Sequence, residues 1–153
     1  MATSPSGDTK HSEGKSKASW RDLLWGLLGR DGRAKNESGG SEWEARAAEF
    51  LRKKGYRLLA RNVRMRRGEL DIVAADGDEI VFVEVKQRKS LEFGGGDYAI
   101  DFKKRHRLIS AAAEFLSREG LTRQPCRFDT VIIHTGPEGP EFNHTENAFQ
   151  ADR

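Results

Sequence analysis

One cysteine, Cys126, stands alone in 153 residues, so no internal disulfide can form. A reduced, cytoplasmic setting is therefore expected. Cys126 also lacks the clustered Cys and His partners that a zinc site needs, and reads as structural. No apolar run approaches the ~20 residues required to cross a bilayer, which leaves no integral membrane segment. The polar opening stretch, Met1–Lys17, has no apolar centre of the kind a secretory signal carries. Neither charge sign dominates: 27 Lys and Arg oppose 24 Asp and Glu, for a net +3. Any electrostatic role must therefore come from where the charges lie.

What is present fits one domain of modest core, with 36% hydrophobic residues and some chain to spare. Residues 1–39 read as a flexible arm. Within it Trp20–Leu28 (WRDLLWGLL) makes a short apolar helix near residues 19–28. That helix can dock on a protein partner, rest on a membrane surface or pack on the domain, and packing is the simplest reading. Residues 29–40 are a linker by composition.

The domain is expected to occupy residues 40–149, with 150–153 as a tail. Ser41 and Glu44 have capping-box spacing, and a helix should run to about Lys54, with Gly55 as its stop. Strands are predicted at Tyr56–Val63, Glu69–Ala74, Glu79–Gln87 and Arg127–His134. A second helix is predicted over about Asp101–Glu119, its apolar stripe formed by Phe102, Ile109, Ala113 and Leu116. A short tail follows the last strand. Helix, three strands, helix, strand is the order of an α/β fold with a central mixed sheet flanked by helices.

The cations are not scattered. Arg52, Lys53, Lys54, Arg57, Arg61, Arg64, Arg66 and Arg67 follow one another with no acid between them. Lys103, Lys104, Arg105 and Arg107 open the second helix. Such clusters suit a phosphate backbone, although a basic face in water would have the same composition.

The central hairpin carries the chemistry. Alternation along a strand puts Val81, Val83 and Val85 on one face and Phe82, Glu84 and Lys86 on the other. On the preceding strand it sets Leu70 and Ile72 against Glu69 and Asp71. A two-residue Gly77-Asp78 turn with glycine first makes paired residue numbers sum to 155, so Asp71 faces Glu84. A turn centred on Asp76-Gly77 would instead bring Glu69 opposite Glu84. Either register places two carboxylates side by side, an arrangement that repels itself unless a cation intervenes. Hard oxygen ligands of this kind suit Mg²⁺ or Mn²⁺. Such an ion polarises a phosphodiester and activates water, and Lys86 on the same face would orient that water or offset developing charge. Ordinary salt bridges across a polar sheet face are the alternative.

The string GELDIVAADGDEIVFVEVKQR, Gly68–Arg88, resembles the signature of the YraN family of bacterial proteins, which have a restriction-endonuclease-like fold. SEWEARAAEFLRKKGYRLLARNVRMRRGELD, Lys103-Lys104, RFD at Arg127–Asp129 and HTENAF at His144–Phe149 match in order. The resemblance spans about Gly40–Phe149. It implies a PD-(D/E)XK nuclease with Asp71, Glu84 and the Val85 carbonyl on the metal and Lys86 as water-positioning base or electrostatic helper. Glu44 resembles the further acid that archaeal-type Holliday-junction resolvases set near their metal, but it is also the capping residue. Trp43 stands where the family usually has glycine, and Gln87 where it usually has threonine.

The expected activity is metal-dependent cleavage of DNA, including branched or damaged forms, with Mg²⁺ or Mn²⁺ as cofactor. Arg61, Arg64, Arg66, Arg67, Arg88, Lys103 and Lys104 are the expected nucleic-acid contacts. A homodimer is expected by analogy with junction resolvases. The alternative is a non-catalytic nucleic-acid-binding or adaptor module on the same fold.

Overall fold

The computed structural model describes residues 35–36, 41–89 and 100–151. The expected Trp20–Leu28 helix and the Gly94–Gly96 loop lie outside the described residues. Within them, helix α1 (Glu42–Lys53) precedes strands β2 (Arg57–Met65), β3 (Gly68–Asp76) and β4 (Glu79–Lys89). Helix α2 (Phe102–Arg118) follows, and then strands β5 (Cys126–Gly136) and β6 (Gly139–Phe149). A two-residue strand, β1 (Lys35–Asn36), falls inside the expected linker and pairs in parallel with Ala60 and Arg61 of β2.

The six strands lie in chain order in one mixed sheet, β4 and β5 running parallel and β2–β3, β3–β4 and β5–β6 antiparallel. The parallel pair needs a crossover, and α2 supplies it. A helix packs on each face, so the domain is an α/β fold of the restriction-endonuclease-like kind. Beneath α1, Ala47, Ala48 and Leu51 meet Ile72, Ala74, Val81, Val83, Val131 and Ile133. Beneath α2, Leu108, Ala111, Ala112 and Phe115 meet Val73, Ile80, Phe82, Phe128 and Phe149. Each fully buried Leu or Phe among these contributes ~1.5–3 kcal/mol.

Both ends of α1 follow from local sequence. Ser41 Oγ accepts the Glu44 amide at 3.3 Å, and Glu44 Oε2 accepts the Ser41 amide at 3.1 Å. At the other end Gly55 takes φ +96°, and the Tyr56 amide returns to the Leu51 carbonyl at 3.0 Å. That left-handed closure favours glycine. In the β3–β4 hairpin Asp76 pairs with Glu79, and Gly77 has φ +57°, as expected of a Gly77-Asp78 turn.

Three expectations change. First, β6 replaces the short tail. Its sequence, GPEFNHTENAF, holds few of the branched or aromatic residues that mark a strand, because it is a largely exposed edge. Second, the core stripe of α2 is Leu108, Ala111, Ala112 and Phe115, while Phe102 is 77% exposed and Ala113 faces solvent. Both stripes keep helical spacing. The small Ala111 lets the helix lie close on β3, where a Cβ added at Gly68 would stand 3.7 Å from Ala111 Cβ. Third, Leu70 and Ile72 do not share a face: Leu70 joins the α2 side and Ile72 the α1 side.

Candidate active site

The break in alternation at Leu70 marks where the sheet opens. Between β2 and β3 the register passes from Arg61–Ile72 to Val63–Leu70 without an Asn62–Asp71 pair. Asn62 there takes φ +51°, a conformation asparagine tolerates better than most side chains. Between β3 and β4 the pairing ends at Ile72–Val83, one step before Asp71 and Glu84 would meet. Beyond that point β3 stays with β2 as far as Gly68, whereas β4 stays with β5 as far as Lys89. The sheet forks, and Asp71 and Glu84 stand at the crotch.

The fork removes ladder partners, and side chains replace them. Asp71 Oδ2 accepts the Val85 amide at 2.9 Å, a bond that a carbonyl would otherwise take. Glu84 is 6% exposed; its Oε1 lies 3.0 Å from Lys104 Nζ, while Oε2 is buried and accepts no hydrogen bond. Burial, reinforced by the Glu84 charge, holds the Asp71 carboxyl well above the usual carboxylate range; the Val85 amide opposes the shift. The two acids line a small cleft with Phe82, Leu108, Phe128 and Phe149, so little water screens them.

The other expected site residues gather around this point to different degrees. Glu44 bonds Ser41 as a cap, and its charge also reaches Asp71. Burial raises its carboxyl, the Ser41 amide opposes that, and nearby Glu69 adds to it. Lys86 is half-buried on β4, two residues beyond Glu84, and acts on the carboxyl of Asp101. Val85 contributes its amide to Asp71. Lys104, expected among the phosphate contacts, reaches inward to Glu84. Burial alone would lower its ammonium, but the Glu84 charge outweighs this and holds it above the ordinary lysine value.

The remaining cations lie outward. Arg66 and Arg67 form the exposed turn joining β2 to β3, and the Arg66 amide donates to the Glu114 carboxylate of α2 at 3.2 Å. Arg64, Arg88 and Lys103 are exposed, and Arg61 is half-exposed and acts on Glu44. An added Cβ at Gly68 would stand 3.4 Å from the Arg107 carbonyl, so the hairpin turn and the start of α2 share one flank.

A second polar cluster centres on Asp129, whose Oδ1 accepts from Arg127 Nε at 3.0 Å. Asp129, fully buried, also holds His144 Nε2 at 2.9 Å and the Asn147 amide at 2.9 Å. His144 Nδ1 lies 2.7 Å from Lys54 Nζ, and Arg127 extends to Tyr56, Asp76 and Glu79. Its polar groups answer one another. The cluster ties β6 to α1 and to the β3–β4 turn.

Among the described residues, no three His, Cys, Asp or Glu side chains converge as a closed metal cage. Two carboxylates with a spare buried oxygen still fit an Mg²⁺-like ion, which keeps several waters and commonly takes one or two protein carboxylates. No described helix is long and apolar enough to cross a membrane.

Comparison with known proteins places the sequence. The sequence model of the uncharacterised protein family UPF0102 matches residues 43–133. The UPF0102 protein of Symbiobacterium thermophilum is 45% identical over 113 residues, covering 73% of this chain and 96% of that one. Its counterpart in Pseudomonas fluorescens is 46% identical over 113 residues, covering 73% and 92%. That of Pseudomonas aeruginosa is 44% identical over 115 residues, with the same coverage of 73% and 92%. The chain belongs to the UPF0102 family, the YraN family of the sequence resemblance.

Proposed function

We propose that the domain is a divalent-metal-dependent endonuclease that hydrolyses DNA phosphodiesters, with branched or damaged DNA as its natural substrates. One observation carries the reading. At the fork, a buried Glu84 and a half-buried Asp71 are held together at the expense of the ladder, and Glu84 Oε2 is left without a hydrogen bond. A structural ion pair would have no use for that spare acceptor, whereas a cation would. An acid such as Asp71, shifted by burial and a charged partner and standing in a cleft, is a candidate functional group.

Asp71 and Glu84 would hold Mg²⁺ or Mn²⁺. When bound, such an ion supplies charge at the scissile phosphate and an activated water. The chain's own groups do the rest. Val85 fixes Asp71 through its amide. Lys86 would hold the attacking water or offset charge on the phosphate, and Glu44 would face the metal's water shell. Arg64, Arg66, Arg67, Arg88 and Lys103 would track the backbone on either side.

The test is cleavage of labelled duplex, single-stranded, flap and four-way-junction DNA with Mg²⁺, Mn²⁺ or EDTA, with wild type and Asp71→Ala side by side. Metal-dependent cutting that the variant loses is the expected result. Tight binding without cutting, unchanged in the variant, would overturn it and leave a DNA-binding module.

A further inference from the structure

The acid pair already has a cation beside it. Lys104 Nζ stands 3.0 Å from Glu84 Oε1, and its charge reaches Asp71 as well. It comes from α2, whereas both acids belong to the sheet. Its backbone is fixed, because Asp101 Oδ1 accepts the Lys104 amide at 2.8 Å as the cap of that helix. Its side chain remains 41% exposed, against 6% for Glu84. A four-carbon stem thus runs from solvent into a buried site, anchored at its base and free to swing at its tip.

The charges explain what this does. Glu84 and the Lys104 ammonium offset one another beside Asp71, in a cleft with little screening. A divalent cation on the same oxygens cancels both acids, and the ammonium becomes a surplus like charge beside it. The lysine must then leave, and solvent is the open direction.

We propose that Lys104 is the resident counter-ion of the carboxylate pair, occupying the cation's place in its absence and displaced outward when a divalent ion binds. The inference rests on Asp71 and Glu84 being the metal centre. Lys104 thereby limits affinity for the free ion, and once released its ammonium is available to a substrate phosphate.

Titration calorimetry with Mn²⁺ at pH 8 tests this on the full chain, comparing wild type, Lys104→Met, Lys104→Arg and Glu84→Gln. Lys104→Met should bind Mn²⁺ about five- to tenfold more tightly, the worth of a half-exposed ion pair that no longer needs breaking. Lys104→Arg keeps the charge and should stay within about twofold of wild type. In wild type itself, the ¹³Cε signal of Lys104, assigned from the arginine variant, should shift on saturation with Mg²⁺. An affinity that Lys104→Met leaves unchanged or weakens overturns the proposal, as does a Lys104 signal that stays in place. If wild type binds no more Mn²⁺ than Glu84→Gln, the metal-centre reading itself fails and takes the proposal with it.

Discussion

Replacing Asp71 by asparagine should stabilise the metal-free domain while abolishing its affinity for divalent ions. The carboxylate takes the Val85 amide through Oδ2 at 2.9 Å, and an amide oxygen can do the same. The other atom becomes an NH₂ group facing Glu84, whose Oε2 is buried and accepts nothing. Where Asp71 is ionised, the substitution therefore removes one of two like charges and gives Glu84 a donor that does not depend on pH. A hydrogen bond to a charged group contributes ~1.5–3 kcal/mol, and imperfect geometry reduces this to about 1–2 kcal/mol. For a chain of this size that raises Tm by roughly 2–8 °C.

The pH dependence follows from the sign of the shift. Burial, then Glu84, raises the Asp71 carboxyl in the folded state. Such a group contributes fully below its unfolded pKa of about 3.9, and its contribution is lost as pH rises through the higher folded value. The asparagine variant should thus match wild type near pH 4 and gain its advantage progressively as pH rises toward about 8, with no further gain above it. Calorimetric melts in EDTA at stepped pH give the difference directly. Adding Mn²⁺ should reverse the order, since about 100 Kd of ligand stabilises wild type by ~2.7 kcal/mol and the variant hardly at all. If the variant melts at or below wild type at pH 8 in EDTA, the acid pair is not a store of repulsion and the reasoning fails.

Asp129→Ala should cost about 1–3 kcal/mol in urea denaturation, because it leaves the buried His144 ring and the Asn147 amide without their acceptor while Arg127 keeps Asp76 and Glu79. Burial would raise the Asp129 carboxyl, but His144, Arg127 and the Asn147 amide together hold it below the ordinary range. Its contribution is therefore present above the unfolded pKa and lost as pH falls through the folded value, and Asp129→Asn should flatten the acid limb of the stability curve. Replacing both Arg66 and Arg67 by alanine should reduce the slope of log affinity against log salt by about two for duplex DNA. Fluorescence anisotropy between roughly 50 and 200 mM salt measures it. An unchanged slope would place the phosphates elsewhere.

Much of this was readable because each signal was local. The Ser41–Glu44 box, the Gly55 stop and the Gly77-Asp78 turn depend on neighbours within four residues, and the register of Asp76 with Glu79 follows from the turn alone. The faces of β4 were also readable, since Val81 and Val83 pack beneath α1 while Ile80 and Phe82 pack beneath α2. What depended on distant partners was not. The edge strand β6 lacks a strand's composition, yet Gly136-Pro137-Glu138-Gly139 before it was an available hairpin signal. The core stripe of α2 was ambiguous because alanines and larger apolar residues occur on more than one of its faces. Nothing local reports that Lys104 turns inward, for that depends on where α2 crosses the fork.

The fork itself shows why strict alternation failed where the chemistry is. Alternation assumes an unbroken ladder, and along β3 that ladder is absent on both sides of Asp71. A regular sheet would pair the Asp71 and Glu84 backbones and give Val85 a carbonyl partner. Here the Asp71 side chain takes that amide, and Asn62 accepts an unusual backbone conformation opposite. Two hydrophobic clusters, one under each helix, anchor the strands on either side, so the opening stays local. Stability is given up in one place and supplied by the layers around it, the pattern expected where local rules yield to a site. An acid pair inside an intact ladder would be screened by its own sheet. At a fork it lines a small cleft instead, and one of its own oxygens takes up a ladder amide.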